Sequence, residues 1–409
     1  MTQKHTSQAA CFWQSISPTS KSTLIAICLA IAIGILMRPG IVMKLGDTPL
    51  HHTLDTARFI LALASIAIYF LRVKVDAFGL LVIALGALAF LSIAFNGQTS
   101  YYFTEFWLPS CASALLARAL CPKYRDELIL AIFSVSSAFS VINLASIIMY
   151  PGGIPSIGID NYFCGNRNWS ITAILPSVIS SLMIDDRQGK AITPRSCVAV
   201  IIGYAQLALA TSATSLAVFL CATLIGILLF SKARRVFTLF TYIVLYLTSF
   251  LLVTFVGFDG PLAAFVHDVF NRDATFSGRT EVWRQAIANV LSTNMLIGCG
   301  RDTYIVDNSQ VGSAHSMLLE VFVQGGLLGI AVWLSILILV ASRLYRNRDC
   351  RSSALVSLAI GSFLFIGLME QTRWPALFLF LGIGYSSVFQ AGSVMPSSKR
   401  TSSQTPLLR

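Results

Sequence analysis

Four arginines, Arg272, Arg279, Arg284 and Arg301, fall within one polar stretch between long apolar runs, and a fifth, Arg167, falls in another. Guanidinium is planar, permanently charged and donates paired hydrogen bonds, so a group of them suits a phosphate or diphosphate. They can also anchor lipid headgroups or pair with Asp268, Asp273, Asp302 and Asp307. For any one arginine that plainer role is as good an account; for the whole set it is weaker. His315 follows the longer stretch directly, and imidazole is the natural proton acceptor near neutral pH. A lone histidine at such an edge is more often a hydrogen-bonded structural residue. Glu320, five positions on, sits about 140° around a helix from it, so the two do not share a face. An acid inside an apolar run nonetheless marks a position facing the bundle or a cavity. Trp283 can stack on a sugar, although anchoring at an interface is the commoner role. The chain shows no GxxxxGK[ST] loop, no HExxH and no acidic cluster fit for a divalent ion, so neither nucleotide hydrolysis nor a metal or other cofactor is expected.

These residues need a scaffold, and composition says which. Of 409 residues, 56% are hydrophobic and 11% charged, where soluble domains carry roughly 25% charge. The apolar runs are long and unbroken rather than alternating, which selects membrane helices over a barrel. Spans are expected near 22–37, 57–71, 77–95, 101–120, 127–150, 169–184, 197–212, 214–231, 237–257, 315–342, 354–371 and 374–391. The expectation is an all-α polytopic membrane protein forming a single domain over 1–409. Lys4 and Lys21 precede the first run, no small-residue cleavage site follows it, and it reads as a retained first span. The Ser-, Pro- and Lys-rich end, 392–409, reads as a disordered cytoplasmic tail. The net charge of +11 is assigned to topology rather than to nucleic acid. With both termini inside, 20 of the 29 basic residues but only 6 of the 18 acidic ones are cytoplasmic, as the positive-inside rule asks. Merging 197–212 with 214–231 across Thr211-Ser212-Ala213-Thr214-Ser215 would reverse every later loop. Of the nine cysteines, Cys164 and Cys299 both fall outside, which leaves a disulfide between them open.

The segment 258–314 is unlike the other connections. Asp259-Gly260-Pro261 reads as one helix start. Ser277 caps a second helix, Gly278–Leu291, whose face of Trp283, Ile287, Val290 and Leu291 suits the membrane interface. Loops this long are often functional, so 258–314 reads as the catalytic loop. Gly325 and Gly329 read as a small-xxx-small helix contact.

Thr275-Phe276-Ser277-Gly278-Arg279-Thr280-Glu281-Val282-Trp283, then Met295-Leu296-Ile297-Gly298-Cys299-Gly300, then Ala314-His315-Ser316, then Gly326 and Gly329, resemble the signature of the O-antigen ligase and polymerase superfamily. Phe163-Cys164-Gly165-Asn166-Arg167-Asn168 resembles a second element. One position departs: where members often carry a basic residue beside a serine in the middle spans, this chain has Ala213, and Arg167 is the candidate replacement. The resemblance implies a bacterial inner-membrane glycosyltransferase whose donor is a glycan on undecaprenyl diphosphate. In that reading His315, Arg279 and Arg167 are catalytic, and Arg284, Arg301, Trp283, Asn168 and Glu320 bind substrate. Implied partners are the lipid-linked donor, a glycan or lipid acceptor and membrane lipids, with a chain-length regulator or flippase as further possibilities. A polysaccharide polymerase is the first expectation, a ligase acting on lipid A-core or protein the second. A transporter or flippase, which would show repeats and broken midplane helices, is the rival from another class.

Overall fold

A computed structural model describes residues 18–46, 48–99, 101–256, 279–301, 304–306, 309–371 and 374–386. The tail, the Asp259-Gly260-Pro261 helix start, Arg272, the Thr275–Gly278 part of the motif and the carboxylates Asp268, Asp273, Asp302 and Asp307 lie outside the described residues.

The helices are those of a multi-pass membrane protein. α1 spans Pro18–Met37, the short α2 Gly40–Lys44, α3 Pro49–Arg72 and α4 Ala77–Phe95. A π-helical turn at Phe103–Trp107 leads into α5, Leu108–Met149. Later come α6, Ile171–Arg187, α7, Pro194–Leu209, α8, Ala213–Leu228, and α9, Leu239–Leu251. The chain then supplies α10, Arg279–Thr293, α11, Met317–Arg346, α12, Arg351–Ile366, and α13, Pro375–Ser386. Starts follow local chemistry: Thr48 and Asp76 accept first-turn amides of α3 and α4, and Pro49 sits where its missing N–H costs nothing. Among the described residues, five segments are long and apolar enough to cross a membrane, and five shorter apolar helices of 10–17 residues accompany them.

Each expected span overlaps a helix over its described residues, although 354–371 runs past the end of α12 and α5 joins two of them. As a straight rod its 42 residues would reach about 63 Å. Instead, Pro122 interrupts it and Tyr124 leaves helical geometry (φ −126°, ψ 37°). Both ends return to one place. Glu105, just before α5, pairs with Arg38; near its far end, Ser146 Oγ accepts the Phe163 amide, whose carbonyl takes the Ile41 amide. The two halves therefore run back to back, as the separate spans 101–120 and 127–150 require. α1, α3, α6 and α13 pack on α5. α12 and α13 are buried on nearly every side, whereas α3 buries only five residues, so the centre of the bundle is α5, α12 and α13 and its rim is α3.

The Gly325/Gly329 contact is not what α11 builds. Gly326 takes φ +59° and ψ −155° inside the helix, and a side chain there would meet the Leu296 carbonyl carbon and oxygen at 2.3 Å. The turn before it enters the gap, with the Met295 and Leu296 carbonyls accepting the Leu327 and Leu328 amides at 2.9 and 3.2 Å. Only glycine fits a left-handed residue with backbone pressed against it. The long loop thus docks on α11 through a helix break, and α10 also packs on α11. Beyond α10, β3 (Tyr304–Val306) and β4 (Ser309–Val311) form an antiparallel hairpin that the sequence did not announce. Cys164 and Cys299 are both buried and form no disulfide, so the open pairing is not made.

Candidate functional site

The first part of the site comes from the 151–170 connection. β1 (Asn161–Tyr162) and β2 (Gly165–Asn166) pair antiparallel, and a 3-10 turn, Arg167–Ser170, follows. Buried amides hold it: Asn143 of α5 accepts the Cys164 N–H at 2.7 Å and donates to Ser170 and to Gln206. Asn168 then makes three links. Its Oδ1 accepts from Ser212 at 2.8 Å, its carbonyl accepts from Ser215 at 3.1 Å, and its Nδ2 donates to Glu370 Oε1 at 2.8 Å. The break at Thr211-Ser212-Ala213-Thr214-Ser215 is real, with Thr211 in a left-handed conformation (φ 52°) between α7 and α8. Its serines hold Asn168.

The second part is the His315 turn. His315 stands before α11, not within it, and its backbone is left-handed at φ 48°. Such strain in a residue other than glycine clusters at functional positions. Glu320 secures the turn from below. Its Oε1 accepts from Ser313 Oγ at 2.5 Å and from the Ala314 amide at 2.8 Å, while Oε2 accepts from Gln324 at 3.0 Å. Gln324 in turn accepts from Trp107 Nε1. Trp283 of α10 donates Nε1 to the Ala314 carbonyl at 2.9 Å.

Glu370 joins the parts. It lies in the turn after α12, 4% exposed. Oε1 accepts from Arg279 Nη2 at 3.1 Å as well as from Asn168, and Oε2 is 3.8 Å from His315 Nδ1. That last distance is within ion-pair range but beyond a hydrogen bond, and Nδ1 has no hydrogen-bond partner among the described residues. Burial pushes the Glu370 carboxyl up, but His315, Arg279 and Asn168 outweigh it and hold it below the ordinary carboxylate range.

These groups open onto a cavity of about 970 Å³. One end is polar: Arg167, Asn168, Arg279, His315 and Glu370, with Lys44 of α2. The rest is an apolar groove between α8, α9 and α12, walled by residues such as Ala217, Val218, Ile225, Leu358 and Phe365. Leu245 lines it and is 50% exposed, so that flank is open. Ala213 and Thr214, at the start of α8, also line it. Ser212 precedes α8 but makes no cap bond, its hydroxyl being given to Asn168.

Arg167, Arg279, His315 and Asn168 are thus brought together; the other expected site residues are not. Arg284 pairs with Glu281 at 2.6 Å on the exposed side of α10, and its hydrogen bonds with Gln285's hold the Glu281 carboxyl down to about 2. Arg301 stacks 3.8 Å from the Tyr102 ring centroid. Neither lines the cavity. Trp283 is 2% exposed and cannot meet a sugar, and Glu320 is 3% exposed beneath the turn. Amphipathic placement on α10 explains Trp283: the buried face is Val282, Trp283, Ala286 and Val290, and Leu291 is outside it.

Sequence reasoning missed Glu370, Lys44 and Trp169, which lines the cavity and meets Trp374 edge-on at 6.4 Å. For Glu370 the signal existed. It is an acid at the end of an apolar run, the same clue that drew attention to Glu320. Lys44 and Trp169 carried none.

Among curated proteins no match is found. A family comparison does match, over 198–334, and its description is O-antigen ligase. That stretch takes in α7, α8, α9, α10 and the His315 turn, while Arg167, Asn168 and Glu370 lie outside it. Over that stretch the chain matches the O-antigen ligase family, which supports the superfamily resemblance read from the sequence.

Proposed function

We propose that the protein is a glycosyltransferase of the bacterial inner membrane, with twelve spans and both termini cytoplasmic. It moves a glycan from an undecaprenyl-diphosphate carrier to the hydroxyl of another lipid-linked repeat unit. One observation carries this reading: a single cavity places two guanidiniums and an imidazole at the head of an apolar groove. An amphipathic donor with an anionic diphosphate and a polyprenyl chain suits that division.

In the transfer, the acceptor oxygen bonds to the anomeric carbon as the bond from that carbon to the phosphate oxygen breaks. The electron pair leaves with the diphosphate. Arg279 and Arg167 stabilise that charge, and Lys44 adds to it at the mouth. The acceptor's proton passes to His315 Nε2. Glu370, close to Nδ1, orients the ring and stabilises the imidazolium. Diphosphate is a good leaving group once neutralised, so no strong acid is required of the protein.

A ligase delivering a finished glycan to lipid A-core or protein would use the same site. The glycan profile of a deletion strain separates them. Single repeats on the cell surface support the polymerase, full-length chains stranded on carrier lipid support the ligase, and an unchanged profile overturns both.

A further inference from the structure

A second cluster of cations lies at the other end of the bundle. α3 begins beside the Arg38 cluster and ends at Arg72, and α5 reverses at Pro122, so the α3–α4 turn and the α5 bend share the end opposite His315. Between them is a crevice of about 470 Å³ lined by Arg72, Lys74, Arg118 and Lys123, with Pro122 at its edge. Aromatic rings brace the cations. Arg72 and Lys123 stand 5.7 and 5.2 Å from the Tyr124 ring centroid, and Arg118 and Arg343 stand 5.4 and 5.0 Å from that of Tyr385.

The carboxylates nearby are already engaged. Asp76 Oδ2 accepts from Arg118 at 2.8 Å, and Oδ1 accepts from Tyr69 O–H and the Gly79 amide. Asp126 pairs with Arg187, and Glu127 accepts from Ser22. Among the described residues, four cations therefore face one crevice against one carboxylate that already serves as a helix cap. Topology accounts for cations at this end, but not for their sharing a crevice. Leu71, Val75 and Leu80, 84%, 50% and 57% exposed, flank the same turn.

We propose that this crevice holds the phosphodiester headgroup of an anionic phospholipid, with the acyl chains along that apolar flank. Basic pockets between helices at a bilayer surface have this preference because the headgroup charge and the tails are satisfied together. The site is independent of glycan transfer.

The test is native mass spectrometry of the purified full-length protein, titrated with phosphatidylglycerol and separately with phosphatidylcholine. Wild-type protein should retain phosphatidylglycerol at least about tenfold more tightly. The double variant Arg72→Gln/Lys123→Gln should lose that preference, while Arg187→Gln should keep it. Thermal melting checks folding; if the double variant melts early, Lys74→Gln and Lys123→Gln alone should each weaken the preference. Equal retention of the two lipids, or unchanged preference in folded variants, overturns the proposal. So does displacement of the lipid by millimolar inorganic phosphate, which would make the crevice a site for free anions.

Discussion

Two groups of charges sit toward the His315 end of this bundle, built from the same residue types. In one, Arg38 pairs with Asp55 and Glu105, Arg58 donates to the Leu36 and Glu105 carbonyls, and His51 Nε2 lies 3.1 Å from Asp55. In the other, Arg279, Asn168 and His315 converge on Glu370. The first is sealed at its centre: the Arg38 and Glu105 side chains are 2% and 3% exposed, and Asp55, at 26%, forms its outer edge. The second is open: Arg279 and His315 are 21% and 37% exposed, and both line the cavity. Arginine, carboxylate and histidine in proximity do not by themselves make a site. A sealed group holds helices together, whereas an open one keeps a face for substrate.

Substitutions can break that comparison. His315→Ala should have the largest effect on function, reducing chain extension by about 10²–10⁴-fold with membrane abundance unchanged. Glycan ladders beside an immunoblot read both, and retained long chains would remove the base role. Glu105→Ala should act through the fold, leaving the buried Arg58 without the carboxylate it faces and Arg38 with Asp55 alone, at a cost of about 3–5 kcal/mol. Lost abundance and a lower melting point are expected; a stable but inactive protein would mean that the sealed cluster is catalytic too. Glu370→Gln should keep the protein folded and lower activity by about 10–100-fold, because an orienting charge is lost while the shape remains.

The pH dependence follows from the same carboxylate. Because the folded Glu370 pKa is depressed, its pairing contributes stability above the unfolded carboxylate value and is lost only as pH falls through the lower folded one. The melting point should therefore fall in acid below the ordinary carboxylate range, and Glu370→Gln should remove part of that fall; an equal fall in the variant would contradict the pairing. Arg279→Lys should retain more donor use than Arg279→Ala but less than wild type, since a point charge cannot replace the fork. Equal effects of the two would argue against phosphate contact. Arg284→Ala should be the smallest, within about twofold in activity, because the pair it breaks is exposed.

Much of this was legible in the chain. Helix after helix falls where the apolar runs are, because the runs are long enough for bilayer or bundle burial to dictate structure locally. The Thr211–Ser215 break was legible from its small polar residues. His315, Arg279 and Arg167 could be singled out because strong chemistry in an apolar sequence is conspicuous. Arg284 and Arg301 are conspicuous for the same reason but do not line the cavity, because residue type does not reveal which way a guanidinium points. Trp283 and Glu320 read as substrate contacts by residue type, yet each holds the His315 turn through one or more hydrogen bonds to it.

The sequence by itself determined the helical membrane architecture, the residues able to do chemistry and the family domain. All of these follow from residue type along a single line of chain. Only the tertiary structure decided which charges meet, because the partners come from opposite ends of the sequence. Glu370 is separated by 202 residues from Asn168 and by 91 from Arg279. No local pattern encodes such a meeting; it arises when α12 is buried at the centre of the bundle and its terminal turn emerges between the 151–170 connection and the His315 turn.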